Sequence, residues 1–240
     1  MENTDEYMGT VAISSLVAFY LLNTSRVLQS IKLSKEVLML LNNTAQENFV
    51  PVYMCIYPVM SIAYGCLNDL TNEKECLTKL LDIHRRLGLR TEEGEVTCRL
   101  AKLCELQSKY KEAKELFKKS LSIALETGDI NNEATCYGGL GFVHNFLFEL
   151  GKAEEYIRKE LAIRKEIGDK RSEAACYAKL GTVYFGVGEY KKSQEYQRKA
   201  LEIAKEIGDK RSACDGLLTS GYTCCFLGEH GKAEIGRAHV

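Results

Sequence analysis

The sequence predicts an all-α fold, a solenoid of antiparallel helix pairs, and three observations carry that prediction. The pentapeptide Gly-Asp-Lys-Arg-Ser stands at Gly168–Ser172 and again at Gly208–Ser212, with a further Gly-Asp at Gly128–Asp129, so the signal returns every 40 residues. The windows 129–168 and 169–208 agree at 20 of 40 positions, and a fixed period of this size marks a stacked repeat array. Inside each period the apolar residues recur at helical spacing. Only two prolines interrupt the 240 residues, as a helix-rich chain requires.

In chain order, the apolar pattern predicts two N-terminal helices at about 8–28 and 31–43. The apolar run Val11–Leu22 has 12 residues, too few to cross a bilayer. Acidic Glu2, Asp5 and Glu6 precede it, whereas a signal peptide begins with positive charge. A buried helix is the expectation there. The next pair carries Tyr57, Met60, Ser61 and Tyr64, then Leu77, Leu81 and Ile83, closing at Gly88. Pro58 falls inside its first helix and is expected to bend or shorten it. Leu100 and Ala101, then Tyr110, Ala113, Phe117, Leu121 and Ile123, make the following pair. Tyr137, Leu140, Gly141 and His144 begin the pair after that, with a break near Glu149–Gly151 before Ala153, Tyr156, Leu161 and Ile163. The clearest pair has Ala174, Tyr177, Leu180, Gly181 and Tyr184, a turn at Gly186–Glu189, then Tyr196, Ala200, Leu201 and Ile203. Leu217, Gly221, Cys224 and Leu227 begin a fifth unit that breaks off.

The Gly-Asp signal has a mechanical reading. Gly128, Gly168 and Gly208 suit the left-handed residue that ends a helix. Asp129, Asp169 and Asp209 stand where a carboxylate caps the next one. Small residues at Ala101, Gly141, Gly181 and Gly221 are expected to meet small partners at Ala113, Ala153, Ser193 and Ala233, letting the two helices of a pair approach closely. The expected organisation is N-terminal helices over 1–49 and an array over 50–234, with units 50–88, 89–128, 129–168, 169–208 and a partial 209–234. Each pair buries only part of its apolar stripe, so stability comes from stacking on neighbours.

Composition and motifs then narrow the function. The chain is 45% hydrophobic and 27% charged with net charge −1. It is not disordered, and it lacks the basic stripe that nucleic-acid binding needs. None of the ten cysteines forms Cys-x-x-Cys, and no His stands at ligand spacing beside them. Zinc has no support, and reduced thiols in the cytoplasm are expected. Gly138-Gly139-Leu140-Gly141 and Gly186-Val187-Gly188 follow no strand and complete no phosphate-loop motif. His144 occupies a packed position shared with Tyr64 and Tyr184 and reads as a core residue. No nucleophile, base and acid can be assembled. The expectation is a protein that is not an enzyme and takes no cofactor and no metal.

Tyr177, Leu180, Gly181 and Tyr184, followed by Ser193, Gln197 and Ala200, resemble the tetratricopeptide repeat. That family's first helix carries an aromatic, Leu-Gly and Tyr, and its second carries Ala, an aromatic and Ala. The 40-residue period and the Leu-Glu-Ile-Ala-Lys-Glu-Ile-Gly-Asp flow resemble a subgroup containing tetratricopeptide repeat protein 28-like, G-protein-signalling-modulator and nephrocystin-like proteins. The resemblance implies a right-handed α-solenoid, strongest over 89–234, with the first helix of each pair lining a concave groove. Where the modulator-type groove carries Asn, this chain has Arg99, Gly139, Lys179 and Thr219. The tail Glu234-Ile-Gly-Arg-Ala-His-Val240 fits no repeat and is similar to a translated sequencing adapter, so 235–240 is expected to be artefactual.

By register the groove candidates are Arg99 and Lys102, then Thr135, Gly138, Gly139, Phe142 and Asn145, then Ala175, Ala178, Lys179, Thr182 and Phe185. Phe142 and Phe185 would be exposed apolar anchors. The expected role is a non-catalytic scaffold or adaptor holding a peptide or helix of another protein. The alternative is the regulatory or sensor arm of a larger signalling protein with an upstream nucleotide-switch domain. Neither nucleic acid nor membrane is an expected partner. Self-association is expected through the apolar end at Leu217, Leu218 and Phe226, because a terminal repeat needs a polar outer face.

Overall fold

The computed structural model describes residues 14, 16–23, 25–42 and 50–209. The expected fifth unit, the C-terminal tail and the apolar end at Leu217, Leu218 and Phe226 lie outside them. Among the described residues there is no strand. Residues 16–23 are helical, followed by α1 (Val27–Asn42), α2 (Val50–Cys66), α3 (Leu70–Leu87), α4 (Arg90–Leu106), α5 (Tyr110–Thr127), α6 (Ile130–Phe146), α7 (Leu150–Glu166), α8 (Lys170–Val187) and α9 (Tyr190–Glu206). The chain divides between Leu103 and Cys104, inside α4, into two compact units.

In the first unit, Leu41, Ile56, Ala63, Tyr64 and Cys76 form a buried core. One expectation needs correction here. Ser25 and Arg26 lie outside a helix, so the break between the N-terminal helices comes earlier than the 28–31 expected. Ser25 adopts φ 61°, and the Arg26 amide reaches back to the Leu21 carbonyl at 2.8 Å, closing the helix without the glycine that would have announced it. Of the two outcomes expected at Pro58, bending or shortening, shortening does not occur: α2 runs 17 residues through it. The Pro58 carbonyl also accepts the Ser61 hydroxyl at 2.9 Å. Burial of Ile56, Val59, Met60 and Ala63 around the proline offsets the lost backbone hydrogen bond.

In the second unit the helices pack in sequence order. α5 lies on α6, α6 on α7, α7 on α8 and α8 on α9, and the first helices α6 and α8 also touch. Phe117, Ile123, Leu140, Ile157, Cys176, Leu180 and Val183 are almost wholly buried. Gly128 and Gly168 adopt φ 72° and 73°, where a side chain would be strained. The Asp129 and Asp169 carboxylates accept the Asn132 and Ser172 amides, both at 3.0 Å. The stop–start reading of Gly-Asp therefore holds at both places. Close approach within pairs holds too. A Cβ on Gly141 would stand 2.6 Å from Ile157 Cγ1, and the Ser193 hydroxyl donates to the Gly181 carbonyl at 2.8 Å.

Candidate protein-binding surface

α6 and α8 each turn one face into the core and leave another open. On α6 the inner face carries Ala134, Cys136, Leu140, Gly141, Val143 and His144. The opposite stripe runs Asn131, Thr135, Phe142, Asn145 and Phe146, with Asn131 and Phe146 exposed and the others half-buried. The stripe on α8 is Arg171, Ala175 and Thr182, all exposed, with Ala178, Lys179 and Phe185 half-buried beside them. The helical period accounts for both stripes, since residues three and four apart share a face.

The sequence-derived candidates sit in distinct environments along these stripes. Ala175 and Thr182 are open to solvent. Phe142 tilts against Phe146 at a centroid distance of 4.5 Å, and Phe185 meets the Tyr190 ring edge-on at 5.4 Å. Each ring is thus already partly engaged in intramolecular contact. Thr135 accepts a hydrogen bond from Arg164 Nη2 at 3.0 Å. Gly138 is buried, and a Cβ there would lie 2.6 Å from the Glu160 carboxylate. A Cβ on Gly139 would collide with the Phe117 ring. These two glycines serve packing as well as any approach of a ligand. Arg99 and Lys102 belong to the first unit. There Arg99 Nη2 donates to Ser61 Oγ at 2.8 Å and lies 3.8 Å from Glu73, while Lys102 is exposed. Burial pushes the Arg99 guanidinium below its usual range and the Glu73 carboxyl above its own.

Lys179 is engaged by a residue that sequence reasoning passed over. Its ammonium lies 2.8 Å from Glu160 Oε2, and Glu160 on α7 is buried. The carboxylate occupies the space left by Gly138, and it faces Cys176, whose thiol is pushed up by burial first and by the Glu160 charge second. Glu160 stands one period after Ser120 and one before Ala200. That register was the available sign that this charge points inward. Arg164 is likewise drawn in, reaching Thr135 on α6 and lying 3.6 Å from the capping Asp169. Asn131, Phe146 and Arg171 were also missed. Each lies three or four residues from a named candidate (Thr135, Phe142 and Ala175), so extending the stripe by one helical turn would have found it.

At the edge of α6, His144 is buried and shares a hydrogen bond with Glu149 at 3.0 Å. Its ring stacks on Tyr156 at 5.3 Å. Burial and the nearby Lys114 hold the imidazole below its usual pKa, against the opposing pull of Glu149. Contacts with Lys152 and His144 lower the Glu149 carboxyl to about 2. One period later Tyr184 stacks on Tyr196 at 5.2 Å and donates to Glu154 at 2.6 Å. His144 is thereby placed as the core residue expected. Among the described residues no cluster of three or more His, Cys, Asp or Glu side chains could hold a metal ion. No helix among them is long and apolar enough to cross a membrane.

This geometry has known counterparts. The tetratricopeptide repeat family model matches residues 93–166 and 132–206. The chain is similar over 97% of its length to a signal-transduction ATPase with numerous domains from Pyrococcus horikoshii, which carries a tetratricopeptide repeat sensor. Identity is 16% and the TM-score 0.81, and the chain spans 36% of that protein. It is similar to the apo form of RapI at 18% identity and a TM-score of 0.81, covering 89% of this chain and 77% of that one. The Rap conjugation gene regulator of plasmid pLS20, solved with the Phr* peptide, matches at 15% identity and a TM-score of 0.67, covering 96% and 66%. No curated protein matches the chain by sequence.

Proposed function

We propose that this protein is a non-catalytic scaffold of the cytoplasm that holds a peptide or helical segment of another protein along the exposed stripes of α6 and α8. One observation carries the reading: Ala175 and Thr182 leave an open stretch of small residues on α8, while Phe142 on α6 and Phe185 on α8 keep half-buried rings. Small residues admit a partner backbone, and partly exposed aromatics supply anchors at low entropic cost. The tetratricopeptide repeats over 93–206 support it, as does the peptide complex of a structurally similar regulator. Thr135, Asn145, Ala178 and Lys179 would flank that surface in the second unit; Arg99 and Lys102 remain separate candidates of the first unit.

The test is a binding titration with a partner segment identified by crosslinking. Thr182→Arg fills that stretch without touching the core and should abolish measurable binding. Phe142→Ala should weaken it by roughly tenfold. Unchanged affinity in both variants would remove the stripes from the site.

A second reading has its own observation. The chain covers about a third of a multidomain ATPase in which tetratricopeptide repeats form the sensor. Here the repeats would be the regulatory arm of a larger signalling protein. Sequencing the full transcript decides it: a phosphate-binding loop upstream supports the reading, and a stop codon just before Met1 removes it.

A further inference from the structure

The second helices of the pairs differ in what they turn outward. The exposed face of α3 carries Glu75, Lys79, Asp82 and Arg86. That of α7 carries Glu155, Arg158, Lys159 and Glu166, and that of α9 Glu195, Arg198 and Glu202. α1, in the first unit, departs from this pattern. Its outward face holds Leu28 at 70% exposure, Met39 at 66% and Leu40 at 46%, with exposed Gln29, Lys32 and Glu36 among them. The opposite face, with Ile31, Val37 and Leu41, is buried in the core it shares with α2. Three large apolar side chains on one face of a 16-residue helix contribute nothing to folding while they stay in water, and such a patch marks an interface.

The order of residues along that face selects the occupant. Gln29, Lys32, Glu36 and Met39 recur at spacings of three and four, the seam along which two helices pack. This seam is its own complement when reversed at the level of Ser34. In an antiparallel pair of α1 helices centred there, Lys32 stands opposite Glu36 of the other copy and Leu28 opposite Met39, and each contact occurs twice. Two-fold pairing requires such reciprocity, whereas a segment of another protein does not. The surrounding charges leave the match intact. Lys35, the third charge of α1, turns to α2, with its ammonium 5.8 Å from the Tyr64 ring centroid. The helical residues 16–23 carry no charge, and Arg26 lies beyond Leu28 at the end of the seam.

We infer that the outward face of α1 is a self-association surface, taken by a second copy of this chain in antiparallel register, with Leu28 packing on Met39 and Lys32 pairing with Glu36 across the two-fold axis. Sedimentation equilibrium of the full chain at about 0.1 mM, where an interface this small associates, should show a monomer–dimer equilibrium. Lys32→Glu and Glu36→Lys should each weaken it roughly tenfold, because like charges then meet at both crossings. An equal mixture of the two variants should associate as tightly as the original chain, since each supplies the charge the other lacks. Leu28→Gln combined with Met39→Gln should leave a monomer that melts, at low concentration, where the original does, because both side chains are exposed. Thr182→Arg should associate like the original, so failure here is separate from failure of the stripes of α6 and α8. Three results would overturn the inference: a chain that stays monomeric at that concentration, self-association indifferent to these four positions, or a mixture no tighter than its components.

Discussion

Where α5 meets α6, the Phe117 ring fills the space over Gly139, and Ser120 Oγ accepts neutral hydrogen bonds from Asn132 Nδ2 and Cys136 Sγ. One period later, where α7 meets α8, Ile157 replaces the ring, Glu160 pairs with Lys179, and Glu154 and Arg158 gather round Tyr184. The backbones are copies, and the forces holding them differ. The first junction rests on apolar burial and is insensitive to salt. The second rests on charges drawn partly out of water, whose attraction is offset by desolvation. A repeat thus fixes where helices meet, and the residues at one register decide whether the meeting is apolar or ionic.

Breaking the apolar junction should have the largest effect. Phe117→Ala is expected to cost about 3–5 kcal/mol in urea unfolding, because the ring is wholly buried. Lys179→Ala should cost less, roughly 1–3 kcal/mol, since it strands the buried Glu160 while Lys179 itself is one-third exposed and partly screened. Adding Glu160→Ala, the residue found at position 200, should recover most of that loss. Removal of the caps sharpens the contrast at about 1 kcal/mol each. Asp169→Ala should exceed Asp129→Ala by a few tenths, because Asp169 also faces Arg164; thermal melts of the two variants compare them directly.

The smallest expected effect is a pH dependence at the C-terminal edge of α6, where His144 meets Glu149 and Tyr156. The folded state holds His144 below its usual pKa, so the unfolded chain binds the proton more readily. Its contribution is fully present above about pH 6.5 and is lost as pH falls below that value. Glu149, lowered to about 2, contributes stability that is lost only as pH falls from about 4.5 toward that value. His144→Tyr, which copies position 184, should flatten the stability profile between pH 7 and 5. Persistence of the slope in that variant would place its origin elsewhere.

The sequence carried most of the second unit. Gly128–Asp129 and Gly168–Asp169 announced the helix boundaries because only one backbone conformation suits each residue. Gly141 and Ser193 announced close helix packing for a steric reason. The first unit was less legible. Ser25 closes a helix without glycine, and α2 runs on through Pro58 without being cut short. The candidate surface was legible wherever the helical period alone decides exposure, as at Ala175 and Thr182. It was not legible at Glu160 and Arg164. A charge in a mostly polar helix reads as solvated until its register mates, Ser120 and Ala200 for one and Ala124 and Ala204 for the other, show that the position faces inward.

Photocrosslinking tests the claim about function most directly. A benzophenone side chain placed at position 182 of the full chain stands on the open stripe of α8, and one at position 198 stands on exposed α9. Irradiation with cellular partners should yield a discrete adduct from position 182 and none from 198. The same adducts from both positions, or none from 182, would contradict the assignment.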